Sequence, residues 1–203
     1  MKPRLPKTLD SDPRAEDLLR GLVLEASPLW EGGEHSATYV EVGEDLVAAL
    51  RSAVQSGRVI RGFEAAESKL AAEERGLKLA PIGSHPGTTM PEVAAQADGT
   101  TTSESATPTS GDAAPARNVR ISRLLLLAND GSPRFYRNVD ALLRRHGSRL
   151  FALRLDLDAL PLGSLLYGPD RLTRLLLIEH KDAVAAVLLA VATQWERRGS
   201  ETP

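Results

Sequence analysis

The chain contains no cysteine. That absence excludes a disulfide framework, a thiolate zinc site and a cysteine nucleophile, and it fits a reducing, intracellular compartment. Long hydrophobic runs are missing too: no uninterrupted apolar segment approaches the roughly 18 residues that a membrane span requires. The N-terminal MKPRLPKTLDSDPR has basic residues with no apolar stretch behind them, so no secretory signal is expected. The net charge is only −2, so the molecule as a whole offers no bulk attraction for nucleic acid. Catalytic motifs are equally scarce. His35, His85, His146 and His180 are scattered without metal-ligand spacing, and no H-E-x-x-H helix occurs. Gly62 and the Gly32 and Gly33 pair lack the lysine context of a phosphate cradle, and no G-x-S-x-G elbow is present. The expectation is a non-enzymatic protein with no metal, cofactor or small-molecule substrate. Trp30 and Trp195 read as anchors for an extension and a helix.

What is present is enough for one core. The chain has 203 residues with 42% hydrophobic content, and one stretch interrupts it. From 80 to 118 it is dominated by Pro, Gly, Ser, Thr and Ala, with TTTSESATPTSGDAAPAR at its centre. Such a segment buries too little surface to offset its ordering entropy, so a disordered insertion is expected there, splitting one domain. Immediately after it, RISRLLLLANDGSP (120–133) joins an apolar strand at 124–127 to a polar turn. Ser132 is placed to cap a helix that starts near Pro133.

The remaining elements alternate. Residues 42–57 put Leu46, Ala49, Leu50, Ala53 and Val54 on one helical face and stop at a glycine. A short strand is expected at 58–60, then a helix from Gly62 to about Arg75. After the insertion follow the 124–127 strand and a helix over 133–146, stopped by Gly147. A strand at 149–156, a short helical turn at 160–167, a strand at 172–179 and a closing helix at 182–197 complete the pattern. The closing helix carries an inner stripe of Val184, Val187, Leu188 and Val191. Helices alternating with short strands predict an α/β protein, a three-layer α/β/α sandwich around a four-stranded mixed sheet. Residues 1–40 read as an N-terminal extension with one short helix around 15–26, the domain as 41–198, and 199–203 as a tail.

Basic charge concentrates around the centre of this domain. Arg117, Arg120, Arg123, Arg134, Arg137, Arg144, Arg145, Arg149 and Arg154 face only Asp130 and Asp140. All of these cations are arginine, the side chain suited to bidentate phosphate contact and stacking.

The order of elements, with SGRVIRGFEAAESKL followed by LLLLANDGSP, a helix, SRLFALRLD and LPLGSLLYG, resembles the ribosomal L-seven-Ae superfamily. That superfamily includes kink-turn RNA-binding ribosomal and small nucleolar proteins, ribonuclease P/MRP subunits and the growth-arrest and DNA-damage-inducible stress proteins. The resemblance covers about 42–79 and 118–197, and it implies the sandwich read above. In the RNA-binding relatives a glycine opens the second helix and is followed by x-Asn-Glu-x-x-Lys. The glycine lets backbone approach phosphate, the helix terminus offers free amides, and the three side chains read purine edges.

Here Gly62 fits that pattern, but Glu64 stands at the Asn position, Ala65 at the Glu position and Ser68 at the Lys position, with Lys69 one residue later. Slipping by one residue matches Glu64 to the Glu, but then Phe63 replaces Asn and Glu67 replaces Lys. The base-reading triad is not intact in either register. The slipped register also resembles the YEAAK stretch of the growth-arrest proteins, here FEAAE, and those relatives use the fold for protein contacts. The family's second RNA contact, a loop after the third strand, corresponds to Leu160, Pro161, Leu162 and Gly163. Asn129 and Asp130 end the strand beside it.

The resemblance therefore implies an RNA-binding component of a ribonucleoprotein particle, nuclear, nucleolar or cytoplasmic, with structured RNA and protein subunits as partners. Its RNA-contacting candidates are Arg61, Gly62, Phe63, Glu64, Ser68, Lys69, Asn129, Asp130, Arg134, Arg137 and residues Leu160, Pro161, Leu162 and Gly163. The alternative it implies is a growth-arrest-like interaction module without RNA binding.

Overall fold

The runs at 124–127 and 175–178 contain no polar alternate, and strands of that kind must be covered on both faces. The computed structural model describes residues 4–79, 120–147 and 149–201 and meets that requirement. A 3-10 turn at Lys7–Leu9 leads to helix α1 (Ala15–Leu24) and strands β1 (Ala26–Pro28) and β2 (Ser36–Val40). Then come α2 (Glu44–Gln55), β3 (Val59–Arg61), α3 (Phe63–Leu79), β4 (Arg123–Leu127) and α4 (Pro133–His146). The chain closes with β5 (Leu150–Leu155), α5 (Ala159–Tyr167), β6 (Leu175–Ile178) and α6 (Lys181–Glu201).

The strands form one mixed sheet in the order β1-β2-β5-β4-β6-β3. Strands β2, β5 and β4 run parallel, while β1, β6 and β3 are each antiparallel to a neighbour. The α/β class holds, and the expected four-stranded sheet is corrected to a six-stranded one. Strands β3, β6, β4 and β5 are the four anticipated. The segment expected to hold only a short helix adds β1 and β2 at the β5 side, with Thr38 opposite Leu153 and Val40 opposite Leu155. Without β2, the buried strand β5 would be an open edge, which sheets avoid.

Alternation along the strands sends side chains to two cores. Leu124, Leu126, Leu153, Leu155, Leu176 and Ile178 pack with α1, α2 and α6, where Leu18, Leu22, Leu46, Leu50, Val187 and Leu188 are buried. Leu125, Leu127, Ala152, Leu175 and Leu177 turn the other way onto α3 and α4, against Leu70, Tyr136, Val139 and Leu142. The result is helices on both faces of the sheet. Local chemistry sets the element ends. Helix α4 begins with Pro133, and the Ser132 side chain accepts from the Phe135 N–H at 3.3 Å, as its sequence indicates. Helix α2 ends before Gly57, whose φ of +67° few other residues adopt.

The insertion expected over 80–118, with His85, lies outside the described residues. Among the described residues no helix is long and apolar enough to cross a membrane.

Candidate functional site

Strand directions gather one set of loops at one end of the sheet. Strands β4 and β5 are parallel, so both finish there, and antiparallel β6 starts there with Leu175 opposite Leu127. Strand β3 runs against β6 and also finishes there, with Arg61 opposite Leu176. Strand β2 is parallel to β5 and finishes there too, so the chain leaves this end four times into helices, and the N-termini of α2, α3, α4 and α5 share it.

At the α3 terminus, Gly62 has φ +93°, and nothing lies within 4 Å of where a Cβ would stand. Backbone conformation rather than crowding selects glycine here. Its N–H donates to the Leu175 carbonyl at 2.9 Å, and its own carbonyl accepts from Ala66 at 3.2 Å. The amides of Phe63, Glu64 and Ala65 precede the first intrahelical bond and have no acceptor within the helix. Arg61 is exposed, with its guanidinium 5.0 Å from the centre of the Tyr167 ring. Burial pushes the Tyr167 hydroxyl up, and the Arg61 charge offsets part of that effect.

Other candidates from the same helix diverge. Glu64 and Ser68 are exposed, one turn apart. Phe63 packs partly against the α3–α4 core. Lys69 pairs with Glu179 at 3.3 Å, beyond the far end of β6, so it does not join the site.

The turn after β4 is bound inward. The Asn129 side-chain oxygen accepts from Arg154 Nε at 2.9 Å, and its backbone oxygen accepts from Arg154 and from the Tyr136 hydroxyl. Asp130 accepts from the Ala159 N–H at 3.0 Å, so it caps α5 from a distance of 29 residues in sequence. These two polar candidates hold the platform together. Arg134 is exposed and has no ion pair among the described residues, and Arg137 is exposed, 6.0 Å from the Trp30 ring centre.

Residues Leu160 to Gly163 form the first turn of α5, in keeping with the short helical turn expected at 160–167, at the place that corresponds to the contact loop of the RNA-binding relatives. Leu162 is fully buried in the core, which corrects its assignment as a contact residue. Gly163 lies so close to the next loop that a Cβ would fall 1.2 Å from the Arg171 carbonyl oxygen. Leu160, by contrast, is 48% exposed, and Pro161 is exposed beside it.

Sequence reading missed the loop that follows α5. Gly168 and Asp170 have φ of +94° and +58°, and Thr173 donates to the Ala159 carbonyl at 2.8 Å. This folds the segment back over α5, so the strand expected from 172 begins only at Leu175. Leu172 is thereby left 53% exposed between Arg171 and Arg174, which are exposed and without ion pairs among the described residues. The signal was a large apolar residue framed by arginines after Gly168 and Pro169. Arg154 was also missed as a contributor: it is held by Asn129 and lies 4.9 Å from the Tyr136 ring centre.

The assembled end carries Arg61, Arg134, Arg154, Arg171 and Arg174. Its acids are Glu44, Glu64, Asp158 and Asp170, which are exposed, and Glu41, Asp45, Asp130 and Asp156, which are engaged. Asp156 accepts from the Tyr39 hydroxyl, and this raises the hydroxyl's pKa. Among the described residues no group of three His, Asp or Glu side chains is placed to hold a metal ion. No protein-family model and no curated protein matches the chain.

Proposed function

We propose that the chain is a non-enzymatic RNA-binding protein of a ribonucleoprotein complex, recognising structured or kinked RNA through this end of its sheet. One observation carries the reading: the open α3 terminus at Gly62, the exposed Leu160 and Leu172, and Arg134, Arg171 and Arg174, which have no ion pair among the described residues, share a single end of the fold. Each part answers a different feature of folded RNA. Arginines take phosphates, helix-terminal amides take phosphate or base oxygens, and exposed apolar side chains pack against bases splayed out of a bend. Glu64 opposes a phosphate at the α3 terminus, so the phosphate contacts fall to Arg134 and to the arginines around Leu172. Without the Asn and Lys of the base-reading triad, recognition is by shape. A nuclear, nucleolar or cytoplasmic location accords with this reading.

Binding of the full chain to a kink-turn RNA and to an unbent duplex, across a salt series, tests it. Preference for the kinked RNA is expected, weakened by Arg61→Ala and by Gly62→Glu, with affinity falling steeply as salt rises. Equal, weak binding of both RNAs that neither substitution changes would sink the proposal. The acidic start of α3, with Glu64 and Glu67, favours a second reading as a growth-arrest-like module that docks a protein. A specific protein partner or self-association in place of RNA binding would support that one.

A further inference from the structure

The outer face of α4 is arginine from end to end. Arg134, Arg137, Arg144 and Arg145 are exposed on one side, while Tyr136, Val139, Leu142 and Leu143 face the sheet. At 1.5 Å per residue the stripe runs about 16 Å along the helix axis, starting at the sheet end already described. The one carboxylate in the helix, Asp140, is turned inward and accepts from the His35 backbone N–H and Nδ1, both at 2.9 Å. Arg137 is steadied over Trp30.

Helix stability explains only half of this stripe. Cations in the last turn suit the helix dipole, which accounts for Arg144 and Arg145. The same dipole disfavours Arg134 and Arg137 near the first turn, where no acid compensates them. Arg144 stands 3.8 Å from the buried Asp140 carboxylate, which His35 already engages. Arg145 meets Glu67 at 2.9 Å and Arg144 also meets Glu34 at 3.7 Å, but all four of these side chains are substantially exposed. Exposed pairs of that kind are weak and give way to a stronger anion. Between the arginines lie only Asn138 and Ala141, so the face lacks the large apolar anchors of a protein interface.

We propose that this face is a second RNA contact, a track for the phosphate backbone of a helical stem leaving the kink. The proposal rests on the RNA reading above and extends it from the bend to the flanking stem. The test uses the full chain and a kink-turn RNA in two forms, one with a long flanking stem and one with that stem trimmed back to the kink. Changing Arg144→Gln together with Arg145→Gln is expected to weaken long-stem binding about tenfold and to lower the salt slope by about two, one for each lost phosphate contact. Binding of the trimmed RNA stays unchanged. The paired Arg144→Lys and Arg145→Lys variant retains long-stem affinity, which separates lost charge from lost fold. Equal long-stem binding by the glutamine variant and the parent overturns the track and leaves the kink reading standing. Failure of the parent to prefer kinked over unbent RNA overturns both. Capture of polyglutamate through Arg144 and Arg145, in preference to the long-stem RNA, overturns the track in favour of an acidic protein partner.

Discussion

Asp140 shows how one buried carboxylate can tie the N-terminal strands to the rest of the molecule. It is 3% exposed, and its Oδ1 is reached by the backbone N–H and Nδ1 of His35, the residue just before β2. Arg144 approaches its other oxygen at 3.8 Å. Burial pushes this carboxyl up, but the His35 side-chain and backbone hydrogen bonds pull it down further, so it titrates below its ordinary value of 3.8. The sign of the pH effect follows. Above 3.8 both folded and unfolded chains hold the group ionised, and its contribution to stability is complete. As pH falls below that value the unfolded chain takes up the proton first, and the contribution is lost as pH passes through the folded value. Asp140→Asn keeps an acceptor but removes the charge. It is expected to cost about 1–2 kcal/mol at neutral pH, the scale of a charge-assisted hydrogen bond against a neutral one. The deficit should shrink on the acid side. Urea midpoints of parent and variant, measured from neutral pH to well below 3.8, check this. Curves that stay equally far apart throughout would mean that the carboxylate charge does not hold the hairpin.

Among the elements, α5 depends most on a residue outside itself. Its own N-cap residue, Asp158, makes no side-chain capping bond, and Asp130 supplies the acceptor to Ala159 from the turn after β4. Asp130→Ala should therefore cost about 1 kcal/mol, as loss of a local cap does, whereas Asp158→Ala should cost much less. Denaturant unfolding of the two variants makes the comparison, and the reverse order would show that α5 is capped by its neighbour in sequence. Elements with local start and stop chemistry were legible. Ser132, Pro133 and Gly147 bracket α4, and the short 124–127 run, closed by turn residues, reads as a buried strand. Elements whose identity comes from distant partners were not. Strand β1 is an exposed Ala-Ser-Pro without alternation, and β2 is defined by pairing with a strand more than 100 residues later. The candidate site divides in the same way. Arg61, Gly62, Arg134 and Leu160 reach one end because strand order takes them there. Lys69 and Leu162 do not, because helical phase turns one toward Glu179 and the other into the core. Leu172 was hidden in an apolar run whose true strand begins three residues later.

For the whole molecule, the decisive question is whether residues 1–40 are an appendage or part of the fold. They contribute Leu5, Leu9, Leu18, Leu22 and Val40 to one core, all nearly inaccessible, and they supply β2 as the parallel partner of β5. The Thr38 hydroxyl donates to the Leu22 carbonyl at 2.7 Å, so α1 and β2 are joined inside that core. Burying five such side chains is worth on the order of 10 kcal/mol. That is comparable to the whole net stability of an ordinary domain, about 5–15 kcal/mol. Removing the segment would also open β5 as an edge with unpaired backbone groups, which invites association between chains. A chain beginning at Glu41 is therefore expected to lose cooperative unfolding and to aggregate, although every RNA-contact candidate lies beyond the cut. Calorimetry and light scattering on the shortened and full chains decide the matter. A soluble fragment with an unchanged, sharp transition would show that the remaining four strands, β5, β4, β6 and β3, suffice, and that β1 and β2 only decorate a sheet already complete without them.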